Sequence, residues 1–112
     1  MSKHEIVDAA PGDARLIFTL CRDGTQEIER EMVLRWRVAV LPRPRSEGGG
    51  MEVEFQALTC TGWVRATHCW VSDRGASQIL IERGGRLYST FGHETTLDEV
   101  RQFLREDLGE SA

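Results

Sequence analysis

The chain has 112 residues, of which 40% are hydrophobic and 29% charged, and a formal net charge of −4. That length suits one domain able to bury roughly two-thirds of its unfolded surface around a single core, and the mixture excludes a disordered or fibrous chain. No apolar run reaches the roughly 18 residues of a membrane-spanning helix and the first residues lack a secretory apolar stretch, so the expected address is cytoplasmic, without a membrane partner.

Three cysteines, Cys21, Cys60 and Cys69, have no CxxC spacing and read as reduced structural thiols, neither a disulfide framework nor a zinc knuckle. Basic charge comes from thirteen arginines and one lysine, and asparagine is absent. This usage fits a GC-rich bacterial genome or a phage of one.

In chain order, residues 1–13 read as a partly flexible N-terminus. Leu16, Phe18 and Leu20 then alternate as a strand and lead into Asp23-Gly24, a hairpin turn signal. Residues 26–33 suit a solvated helical turn as well as a strand, and are taken as strand. Leu34, Trp36, Val38 and Val40 alternate with polar residues, as do Met51, Val53, Phe55 and Ala57, which makes two strands with these side chains inward. Between them Pro42, Pro44 and Gly48-Gly49-Gly50 forbid ladder or helix, so residues 42–50 are expected to be a mobile loop. Pairing Val40 with Met51 sets Trp36 opposite Phe55 and Arg37 opposite Glu54.

Residues 63–71 continue the alternation, with Val64, Ala66, His68 and Trp70 on the inward face and Trp63, Arg65, Thr67 and Cys69 on the other. Strands at 78–81 and 87–91 flank Arg83-Gly84-Gly85-Arg86, a tight turn. The chain closes with a helix over 96–108. Thr96 and Glu99 form a capping signature, Asp98 favours the positive helix start and Gly109 supplies the stop. Its apolar stripe is Leu97, Val100, Phe103, Leu104 and Leu108. The expected fold is therefore a single α+β domain over residues 1–112: one mainly antiparallel sheet of about five or six strands with the C-terminal helix packed on one face.

Enzyme signatures are lacking. GxSxG, HExxH, GxGxxG and P-loop patterns are absent. His68 and Cys69 are neighbours on a strand and so point to opposite faces, which excludes a thiol–imidazole dyad and a zinc site built on that pair. No catalytic residue, metal or cofactor is assigned.

Charge is uneven: residues 30–46 carry five arginines against Glu31, and 92–112 carry six acids against Arg101 and Arg105. Trp63 falls on the polar face beside Arg35, Arg37 and Arg65, with Arg43 and Arg45 in the adjacent loop. Tryptophan and arginine together have the composition of protein–protein hot spots. The plain alternative is that Arg35, Arg37 and Arg65 are neutralised across strands by Glu52 and Glu54.

The leading reading is a small non-catalytic protein-binding module acting by occupying the surface of another protein, of the kind seen in inhibitors, immunity proteins, secretion chaperones and phage-encoded antagonists. Its contact residues would be Trp63, Arg35, Arg37, Arg43, Arg45 and Arg65. A second reading is a ligand-binding or enzymatic domain with a pocket between sheet and helix, using His68 and Tyr88. A third is nucleic-acid binding through the arginine-rich sheet face. An unpaired edge strand leaves room for a homodimer.

Overall fold

A computed structural model describes residues 3–89 and 92–109, with side chains described from residue 6 onward. Among these described residues ten strands and one α-helix follow one another as β1 (Lys3–Asp8), β2 (Ala14–Cys21), β3 (Gln26–Met32), β4 (Arg35–Pro42), β5 (Met51–Thr59), β6 (Gly62–Arg65), β7 (His68–Val71), β8 (Gly75–Arg83), β9 (Arg86–Tyr88), β10 (Glu94–Thr95) and α1 (Leu97–Asp107). The fold is mostly antiparallel sheet with one C-terminal helix, as expected. The strands form two sheets, however, where one of five or six strands was anticipated. The outer sheet has the order β1-β4-β5-β6; the helix-backed sheet runs β10-β9-β8-β2-β3, with β7 also pairing β8.

The second sheet arises where the alternation over 63–71 breaks. The chain leaves β5 with β6, turns at Ala66 and Thr67, and re-enters as β7 against β8. Ala66 is fully buried there, and its amide donates to the Phe55 carbonyl at 2.9 Å. Alternation alone cannot show this crossing, because period two continues on both sides of it.

Within the helix-backed sheet β2 and β8 are central. Leu16 lies opposite Leu80 and Leu20 opposite Ala76. Val100 and Leu104 of α1 cover them, giving a core of Leu16, Phe18, Leu20, Ala76, Leu80, Val100 and Leu104. Phe103, expected in the apolar stripe, is about half exposed at the helix margin. The cap behaves as read: the Glu99 amide donates to Thr96 Oγ1 at 3.2 Å, and at the far end the Gly109 amide donates to the Glu106 carbonyl at 2.9 Å.

The ambiguous segment 26–33 is strand. Glu27, Glu29 and Glu31 share one side of β3, where Glu31 meets Arg15 at 3.0 Å and Glu27 meets Arg74 at 2.8 Å, while Arg30 on the other side reaches Glu82. The Asp23-Gly24 turn is as expected, with Asp23 Oδ1 accepting from the Thr25 amide at 2.9 Å. Gly84 and Gly85 have φ of 59° and 76° between the paired Arg83 and Arg86, the two positive angles of a type I′ hairpin.

In the outer sheet Val40 pairs with Val53 and Pro42 with Met51, two residues away from the anticipated register. A shift of two keeps every side chain on its expected side. Trp36 therefore lies opposite Ala57, and Arg37 opposite Gln56. The loop over 42–50 carries a short 3-10 turn at Arg45–Glu47. Residues of the N-terminal stretch supply β1, which pairs with β4 along its length; nothing in the local pattern separated this strand from a flexible start.

The two sheets meet at one corner. Val33, Trp36, Ala57 and Ala66 form a second buried cluster, with Ile81 of the helix-backed sheet packed against it. The fully buried Asp13 carboxylate pins the joint: its Oδ2 accepts from Trp36 Nε1 at 2.8 Å and from the Ala10 amide at 3.0 Å, with Arg83 Nε 3.4 Å away. Arg15 adds a second tie, donating to the Arg65 carbonyl at 2.8 Å while paired with Glu31. The radius of gyration, 15.2 Å, exceeds the roughly 13 Å of a fully compact chain of this length.

Candidate functional site

Each residue singled out from the sequence has a definite place. Trp63 lies on β6, half-buried, and the Arg37 guanidinium sits over its ring at 4.1 Å. Arg37 Nε also donates to Gln56 Oε1 at 2.8 Å, Gln56 Nε2 donates to Glu54 at 2.7 Å, and Glu54 pairs with Arg65. Arg35 pairs with Asp8 at 3.6 Å. The arginine face is thus a connected ladder across β4, β5 and β6, with Glu54 as its acid and Gln56 as the relay. Arg43 and Arg45 stand apart in the exposed loop, without an ion pair among the described residues. Four of the six residues share the outer sheet, Arg43 and Arg45 lie in its loop, and the six do not converge.

His68 and Tyr88 do not form a pocket under the helix. Their backbone partners, Ile79 and Ile81, lie on the side of the helix-backed sheet opposite α1. His68 is exposed and stacked on Trp70, with ring centroids 5.4 Å apart and planes 20° from parallel. The expectation of an inward histidine fails because the helix covers only one side of this sheet, and His68 is on the other. Cys69 points the opposite way from His68, as the strand geometry requires, and packs against the helix-side core. Burial raises its thiol pKa first and the nearby Asp107 carboxylate, 3.6 Å from Sγ, raises it further; a thiol held protonated is a poor nucleophile.

Two shallow depressions are lined by described residues. One, of about 440 Å³, lies between Leu87 and the start of α1; the other, of about 280 Å³, lies beside the β2–β3 turn. Neither touches His68 or Tyr88. Among the described residues no group of three or more His, Cys, Asp or Glu side chains has metal-binding geometry. No helix among them is long and apolar enough to cross a membrane.

What the sequence reading missed is the other side of the outer sheet. The strand registers place Val7, Val38, Val40, Met51, Val53 and Phe55 together on it, with Trp36, Ala57 and Val64 at the end nearest the joint. Only that end is covered. Val7 is 40% exposed, Phe55 44%, Met51 57% and Val53 61%. The period-two spacing of Val38, Val40, Met51, Val53 and Phe55 reads as inward-facing; the register does put them on one side, but the exposures show that this side is largely uncovered, a point on which the spacing carries no information. Four large apolar side chains open to water on one face form a patch of the kind that marks contact sites.

Comparison with protein-family models, with curated protein sequences and with solved structures returns no match.

Proposed function

We propose that the chain is a small non-catalytic protein-binding module, and that its contact surface is the open apolar face of the outer sheet, not the arginine face. The observation that supports this reading is the group Val7, Met51, Val53 and Phe55, exposed together on a sheet that extends away from the main core. An interface core is depleted in charge and rich in large apolar side chains, and this face has that composition. The arginine face is less suited to anchoring a partner. Arg35 and Arg65 already have acidic partners and Arg37 is held by Gln56 and the Trp63 ring, so a new contact there would exchange one exposed interaction for another, with little net gain. The acids paired with Arg35 and Arg65 weaken the case for phosphate binding at those two positions.

A photo-crosslinking phenylalanine analogue at position 55, irradiated in the source cell, tests the reading. Covalent protein adducts are expected there and not from the same analogue at Gln102, an exposed position on α1. Equal, background-level labelling at the two positions would refute it.

A further inference from the structure

Resting on the reading of this face as a contact surface, we propose that its occupant is a second copy of the chain. The two open faces stack about a twofold axis, so that each outer sheet supplies one layer of a shared sandwich. The area is sufficient. With ordinary full accessibilities of about 150–200 Å² for such residues, the measured exposures leave roughly 350 Å² of apolar surface on Val7, Met51, Val53 and Phe55 of each copy. Two copies would bury roughly 700 Å² of apolar surface, and at the roughly 65% apolar content of homodimer interfaces this corresponds to a total above the roughly 1,000 Å² that a specific interface needs.

Charge favours the same occupant. The chain has a net charge of −4, so two copies repel in general. Glu52 and Glu54 fall on the opposite side of β5, and the charged register positions on this side are Lys3 and Glu5, one of each sign, along the β1 edge. This side therefore carries no net charge for two like copies to bring together. A twofold interface must also be self-complementary, and an apolar stretch along β4 and β5 meets that condition without matched donors and acceptors.

The fold itself shows what the face accepts. At the joint, the same side of the same sheet is already covered by residues of another sheet, with Ile81 against the cluster of Trp36 and Ala57. The outer end lacks that second layer. Two twisted sheets pack face to face at roughly 10 Å, and an identical sheet related by a twofold axis provides such a layer.

Sedimentation equilibrium of the full chain across the micromolar range tests the proposal. The expected result is a mass of two chains, with V53E weakening association by on the order of 100-fold because each interface then holds two buried unpaired carboxylates. E52R, on the opposite side of the strand, keeps the dimer. Val53 is exposed in the single chain, so circular dichroism of V53E in dilute solution should match the parent and show that the variant folds. A parent that stays monomeric overturns the proposal, and so does a dimer that resists V53E. A monomeric parent that still crosslinks through position 55 to a different protein overturns the second copy as occupant while the contact face stands; absence of both association and crosslinking removes both.

Discussion

The two sheets are built from the same alternation of apolar and polar residues, yet one makes a closed core and the other an open surface. In the helix-backed sheet Leu16, Phe18 and Leu20 are matched by Leu80 and Ala76 across the strand pair and by Val100 and Leu104 from above. In the outer sheet Val38, Val40, Val53 and Phe55 are just as regular, but only the Trp36 end has a cover. Alternation establishes that a strand has an apolar side. Whether that side becomes core depends on a second layer, and here the single helix serves one sheet only.

Substitutions on the two sheets should therefore differ most where the residues look most alike. Leu104→Ala empties a fully buried site and is expected to cost about 2–5 kcal/mol in urea unfolding. Val53→Ser, in solution dilute enough to hold single chains, should stay within about 0.5 kcal/mol of the parent. Similar losses from both would show that the outer face is covered within one chain, and the contrast would collapse.

The joint between the sheets comes next. Trp36→Phe keeps most of the ring but removes the Nε1 donor to Asp13, whose Oδ1 already lacks a partner. Loss of about 1–3 kcal/mol is expected from leaving this buried carboxylate less satisfied. A separate low-temperature transition of the outer sheet, read by backbone amide exchange in β4 and β5, would sharpen the picture by showing that the joint couples two units.

The smallest effect concerns the thiols. Cys60 is exposed, whereas Cys69 is partly buried with a pKa raised by burial and by Asp107. At neutral pH iodoacetamide should label Cys60 first, and Asp107→Asn should speed labelling of Cys69 modestly, because removing the carboxylate's charge eases thiolate formation. Peptide mapping over time reads both rates. Faster labelling of Cys69 than of Cys60 in the parent would mean that the helix-side packing opens readily.

Much of this architecture is legible from residues alone, because it rests on local chemistry. The Asp23-Gly24 and Gly84-Gly85 hairpins follow from backbone angles few other residues adopt, the Thr96 cap from a hydroxyl meeting orphan amides, and the sides of β4 and β5 from the period of two, which survived a register error of two. The remainder depends on contacts between residues far apart in sequence. The crossing at Ala66, the pairing of β1 with β4, the pinning of Trp36 by Asp13 and the placing of α1 against β2 and β8 leave no periodic mark on the chain. The apolar surface on Val53 and Phe55 belongs to the same class: a side chain's direction is set by its own backbone, but its burial is decided by which element packs against it.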